Sequence, residues 1–328
     1  MRVGRGDGLW VPMAETLVWA RVLRPAVPLL YLDLNHLIGL ARVTSGAASA
    51  TAAYRDLLES VERAVRERRV MVVLSGDHLY EILAIADPRQ RRDIAAVAEA
   101  LSGFQYLLGR PEIARLELEA GIDTALQAQN TAPTYLPLIG PSFGRAFGMR
   151  GGLRIVDDRT GIDVSETTRR DMGEAAYDAV MKRMSRELEF AMLSGPADDE
   201  IAVLRANGYA PEVADESQRS RLAYELDLSK RLTHHPGWRT GRLRDLVTGR
   251  EIAHEWLDLI NEVNAIRAGS GQVVLDTEDD DSSRQIVAGM PHVQVAISMK
   301  TRYHRNPAHR WTTNDLVDID ALSVAYAY

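Results

Sequence analysis

Five carboxylates stand where they could do chemistry: Asp33, Glu81, and the group Asp315, Asp318 and Asp320. Asp33 closes the apolar run Leu29–Leu32 within PLLYLDLNH, and Asn35 follows two residues later. Glu81 lies within SGDHLYEIL, just after a second apolar run, Val70–Leu74. The last three acids punctuate NDLVDIDALSVAYAY. Hard divalent cations take carboxylate oxygens and keep several waters, so an Mg²⁺ or Mn²⁺ site needs acids converging from different elements. The plainer reading of any single one is a helix cap, since Asp is favoured at helix starts.

A second group is cationic and aromatic. Lys300–Trp311 interleaves Lys300, Arg302, Arg305 and Arg310 with Tyr303, His304, His309 and Trp311. Cations neutralise phosphates and aromatic faces stack on unpaired bases, so Arg302, His304 and Arg305, with Asn35, are candidates for contacting RNA. The plainer reading is a solvated helix end. The remaining motifs are weaker. HEWLD has Asp258 where a zincin has its second His, and neither a nucleophile elbow nor a Walker loop occurs. Arg66–Arg69 and Arg89–Arg92 read as solvated helix faces, DTEDDD at 276–281 as an acidic loop, and the methionines from Met172 to Met192 as core packing.

These residues need elements to position them. Leu29–Leu32 and Val70–Leu74 read as buried strands, and Phe104–Leu108 as a third, short one. Between them the apolar spacing predicts helices over about 35–42 and from Tyr54 to the cationic turn Arg66–Arg69. Ser75 and Pro88 open two more, to about Ala86 and Leu101. Alternating strands and helices give an α/β fold with a parallel sheet, which binds ligands at the carboxyl ends of its strands. Residues 131–165 read as irregular, Met172–Met192 as one long helix, Ile252–Val263 as another, and the stretches near His292–Tyr303 and Asp318–Tyr328 as the last two.

Composition narrows the chemistry further. The 328 residues are 46% hydrophobic, enough to fill a core. The net charge is −7, so any nucleic-acid contact must come from local patches. Cysteine is absent, which excludes disulfides, thiolate-bound metals and a Cys nucleophile. No signal-peptide or membrane-span pattern opens the chain, so a cytoplasmic protein is the expectation.

Three segments taken in order, YLDLNHLIGLAR, LSGDHLYEIL with DPRQRRDIA, and NDLVDIDALSVAYAY, resemble the acidic motifs of PIN-like ribonuclease domains. MPHVQVAISMKTRYHRNP and WTTNDLVDID resemble a bacterial branch of that family. The resemblance implies a PIN-like parallel sheet flanked by helices, formed by 26–110 and 288–328. A 1–25 arm precedes it, and a mostly helical insertion occupies 111–287. It also implies a metal-dependent endoribonuclease acting on single-stranded RNA, in which Asp33, Glu81, Asp318 and Asp320 bind Mg²⁺ or Mn²⁺. A toxin or phage-defence effector is one setting for such an enzyme. The helical middle would then serve as a lid, a dock for a protein regulator, or an oligomer surface. In the family a further strand follows the last helix and carries another Asp; this chain ends at Tyr328, where that strand would begin. The alternative is a non-catalytic RNA- or protein-binding module on a degraded PIN-like core.

Overall fold

The structure, a computed structural model, describes residues 21–126, 135–148, 153–197, 199–206, 211–275 and 280–328. In chain order its elements are β1 (Val22–Leu23), β2 (Leu29–Tyr31), α1 (Leu34–Thr44), α2 (Ala52–Arg66), β3 (Met71–Val73), α3 (Gly76–Leu83), α4 (Pro88–Ser102) and β4 (Gln105–Leu107). There follow α5 (Arg110–Ala125), β5 (Leu136–Pro137), β6 (Ile139–Pro141), α6 (Ser165–Met172), α7 (Glu174–Ser194), α8 (Ile201–Ala206) and α9 (Pro211–His234). The last are α10 (Trp238–Gly241), α11 (Leu243–Glu251), a π-helical turn (Ile252–Trp256), α12 (Leu257–Gly269), α13 (Asp280–Ala288), α14 (Pro291–Arg305) and α15 (Thr313–Ala327). Among the described residues no helix is long and apolar enough to cross a membrane.

The chain divides into two compact units. A sheet unit comprises the described parts of Arg24–Gly109 and Pro137–Ala210; a helical unit comprises those of Met1–Leu23, Arg110–Leu136 and Pro211–Tyr328. This division differs from the expected one. The segment 288–328 joins the middle of the chain rather than the early strands, because α14 and α15 bury Val293, Ile297, Leu316 and Ile319 within the helical unit. The stretch 137–210, expected to belong to an insertion, completes the sheet unit.

In the sheet unit, β2 and β3 pair in parallel with Leu29 opposite Met71 and Tyr31 opposite Val73. A parallel bridge from Leu74 to Tyr106 joins β4, and β6 adds to β4 antiparallel. The strands are short, and helices supply most of the mass. Three of the early helices start where a side-chain cap satisfies free N–H groups. Asp33 caps α1, Thr51 caps α2 and Asp87 caps α4, which Pro88 then opens. Gly103 ends α4 in the left-handed conformation at φ 56°. Leu37, Leu40, Ile82 and Ile94 are fully buried between these helices and the sheet. Each contributes about 1.5–3 kcal/mol by leaving water.

Two local expectations are corrected. Met172–Met192 is not one helix: Gly173, at φ +78°, separates α6 from α7, and Met172 and Met184 are exposed rather than core. Arg91 is buried rather than solvated, because its guanidinium donates to the carbonyls of Ile85, Ser194 and Pro196 and ties α4 to the end of α7.

Candidate functional site

The carboxyl ends of β2 and β3 gather three acids. Leu32 turns inward after β2, and Asp33 follows as the N-cap of α1, its Oδ1 accepting from the His36 N–H at 3.0 Å. After β3 the chain passes through Ser75, the N-cap of α3. Asp77 and Glu81 then lie four residues apart on α3, the spacing that puts both on one face. Asp33 is exposed; Asp77 and Glu81 are half-buried.

Tyr31 shows that the three acids share a field. Its hydroxyl lies 3.3 Å from Ser75 Oγ, and its ring packs on His78 with centroids 4.6 Å apart. Burial pushes its pKa well above the usual phenol value against the lowering effect of the Ser75 hydrogen bond, and the charges of Asp77, Glu81 and Asp33 push it further. The hydroxyl therefore stays protonated at neutral pH and can donate into an acidic edge.

His78 fixes that edge. It is fully buried; its Nε2 donates to the Leu32 carbonyl at 2.6 Å, and its Nδ1 accepts from the Ser75 N–H at 3.0 Å. The ring so bridges the end of β2 to the cap of α3, next to Asp33 in one direction and Asp77 in the other. Burial holds its pKa down to about 4, despite the Leu32 carbonyl and the Asp33 charge, so the neutral ring is the structural form. The sequence reading omitted Asp77 and Tyr31. The signals were present: Asp77 precedes Glu81 by one helical turn, and Tyr31 precedes Asp33 by one strand repeat.

The acids supply the hard oxygen donors that Mg²⁺ or Mn²⁺ prefers. Their placement is looser than a finished site: among the described residues no group of three or more carboxylate or imidazole side chains is positioned to hold a metal ion.

Asp318 and Asp320 lie on α15, in the helical unit. Asp318 is exposed; the Tyr303 hydroxyl has its pKa raised by burial and, beyond that, by the charges of Asp315 and Asp318. Asp320 corrects the expectation of a metal ligand. Its Oδ2 accepts from Arg221 at 2.8 Å, and its Oδ1 accepts from Arg221 at 3.0 Å and lies 2.8 Å from Arg110. Two guanidinium groups thus occupy the place a cation would take. Burial opposes its ionisation, but Arg110 and Arg221 hold its carboxyl below the usual carboxylate range.

The network continues through the unit. Glu255 bonds the same two arginines, and Lys300 lies between Glu251 and Glu225. Burial works against the charge on Glu255, yet Arg110, Arg221 and Lys300 bring its pKa down to about 2. A cavity of about 400 Å³ opens beside this network, with Arg250, Glu251, His254 and Lys300 in its wall.

The segment 300–311 divides by burial, which corrects two further expectations. Lys300 is buried and ion-paired inside the network. His304 is also buried, its Nε2 2.7 Å from Glu225 Oε2 and its Nδ1 3.2 Å from Ser229 Oγ, so it supports the bundle instead of meeting substrate. Arg302, Arg305 and Arg310 are exposed, as is Asn35 on α1. Trp311 packs inward against Leu316 and Ile319.

No protein-family model, curated protein or solved structure matches this chain.

Proposed function

We propose that the sheet unit is a PIN-like nuclease core that hydrolyses phosphodiester bonds of single-stranded RNA, with Asp33, Asp77 and Glu81 as its acidic edge. One observation carries this reading: three carboxylates stand at two consecutive strand–helix junctions, Asp33 capping α1 after β2 and Asp77 and Glu81 on α3 after β3, at the carboxyl end of a parallel strand pair. That is where α/β sheets place ligands. Mg²⁺ or Mn²⁺ bound there would lower the pKa of a water and offset charge building on the phosphate. The chain itself contributes the oxygen donors, the His78 brace that sets their spacing, and the Tyr31 hydroxyl as a donor that stays protonated.

The test is cleavage of a labelled single-stranded RNA with Mg²⁺, with Mn²⁺ and with EDTA. Asp33→Asn, Asp77→Asn and Glu81→Gln should each reduce the metal-dependent rate at least ~100-fold, the upper range seen when even an outer partner of a metal ligand is lost. Wild-type rates in all three variants would overturn the assignment. A second reading, a non-catalytic RNA- or protein-binding module, is favoured by the absence of a preformed metal group among the described residues and by the ion-paired Asp320. It requires RNA or protein binding without metal-dependent cleavage by the wild-type chain.

A further inference from the structure

In the helical unit, a hollow of about 140 Å³ lies where the end of α9, the short α10 and the α14–α15 connection come together. Three cations line it, one from each: Lys230, Arg239 and Arg310. Its other polar groups include the hydroxyls of Ser229 and Thr233. No carboxylate lines it, and none of the three cations has a carboxylate partner among the described residues. Arg239 is braced by donating to the His304 carbonyl. Asp315, the nearby acid, is already engaged by the Thr312 cap and lies 3.5 Å from His309 Nε2.

This arrangement contrasts with the rest of the unit, where buried arginines and the lysine meet carboxylates. Uncompensated cations held around a concave space call for an anion, and at about 30 Å³ per water the hollow has room for about four or five waters or one tetrahedral oxyanion. One wall is aromatic. The Tyr303 and His309 rings stack at 4.5 Å and 21°, and Trp311 meets both edge-on. A free inorganic anion has no use for such a wall. A nucleotide does, because an unpaired base offers a face to stack.

We infer that this hollow binds a backbone phosphate of single-stranded RNA through Lys230, Arg239 and Arg310, with the Tyr303–His309 stack receiving an adjacent base. The inference shifts RNA contact within the basic–aromatic segment from His304, which is buried, to Arg310 and two residues outside the segment, Lys230 and Arg239. It stands apart from hydrolysis at the acidic edge, so the two can fail separately.

The experiment is fluorescence anisotropy of the full chain with a labelled oligouridylate of about 12 nucleotides, in EDTA so that no cleavage intervenes. Affinity is followed against salt concentration. Lys230→Ala combined with Arg310→Ala should weaken binding about tenfold and lower the salt slope by about 0.7, the contribution of one single-strand phosphate contact. Lys230→Arg combined with Arg310→Lys should restore the slope, because both keep the charge. Circular dichroism checks that the variants stay folded; both positions are exposed. An unchanged affinity and slope in the double alanine variant overturns the inference. So does binding of inorganic phosphate or a mononucleotide, lost in that variant, without any binding of the oligouridylate: the hollow would then take a free anion. RNA binding that follows the expected slopes, in a chain that never cleaves, supports this site while removing the nuclease reading.

Discussion

Asp33 and Asp320 are the same residue type, one capping the start of α1 and the other in the middle of α15, and the structure gives them opposite surroundings. Asp33 has a side chain 52% exposed, one backbone N–H as a close partner, and two other acids sharing its edge. Asp320 is 11% exposed and clamped by two guanidinium groups. In the helical unit charge is consumed internally: Arg110, Arg221 and Lys300 meet Asp320, Glu255, Glu251 and Glu225. At the sheet edge negative charge accumulates. A buried carboxylate with two cationic partners is committed to the fold, whereas a half-exposed acid such as Asp33, at the end of a strand, retains the capacity to take a cation from outside.

The sharpest way to break this comparison is Asp320→Asn. Asparagine keeps the volume but leaves Arg110 and Arg221 near each other with one charge fewer between them. Removing one member of a buried ion cluster costs about 3–5 kcal/mol. Urea unfolding should show that loss as a lowered midpoint at an unchanged slope. A loss below about 1 kcal/mol would mean that Asp320 is no more committed than a surface acid.

The next effect concerns pH, and it separates the units. Unfolded His78 titrates near 6.5 and the folded ring at about 4. Between those values the unfolded chain binds the additional proton, so acid favours unfolding. The stability lost approaches about 3 kcal/mol once the pH is below both values. Glu255 works in the same direction but lower: its folded pKa is about 2 against an ordinary 4.5, so its contribution is intact above 4.5 and lost as pH falls toward 2. His304 in the helical unit is also held below its ordinary value by burial, but Glu225 beside it counters the shift, so going from pH 7 to pH 5 should loosen the sheet unit before the helical unit. Hydrogen exchange, corrected for the intrinsic rate, should show protection falling first around Gly76–Leu83 and later around Leu243–Glu251. The reverse order would remove His78 as the brace of the edge.

Much of the sheet unit could be read from the sequence, and for local reasons. The runs Leu29–Leu32 and Val70–Leu74 are too apolar to lie outside a core, and Ser75, Pro88 and Gly103 carry cap chemistry that acts within a few residues. Asp33 and Glu81 follow from those elements directly. The helical unit was harder because its organisation is set by distant partners. Nothing near Asp320 announces Arg221, 99 positions earlier, or Arg110, farther still. Periodicity marks α14 and α15 as helices, but either a sheet or other helices could have covered their apolar faces. The same holds for Lys300 and His304: they sit one turn apart on α14, and their burial depends on Glu225 and Glu251 arriving from α9 and α11. Gly173 shows a subtler loss, since a four-residue repeat continued straight across the break it introduces.

The smallest expected effect sharpens the comparison most. Asp33→Asn should change stability by no more than about 0.5 kcal/mol, because Asn and Asp cap helices about equally well. The bond at stake is the one from the His36 N–H to Oδ1, and an Asn Oδ1 can accept it. The ion pair with His36, 4.0 Å away and half exposed on both sides, adds little because water screens it. Relief of crowding with Asp77 and Glu81 works the other way, so the net change lies near zero. Measured beside Asp320→Asn by the same urea titration, the two substitutions should differ several-fold in cost although each exchanges one carboxylate for one amide. If Asp33→Asn cost about 3 kcal/mol instead, its charge would be holding the fold together, and the acidic edge would lose its claim to be a site kept for a ligand.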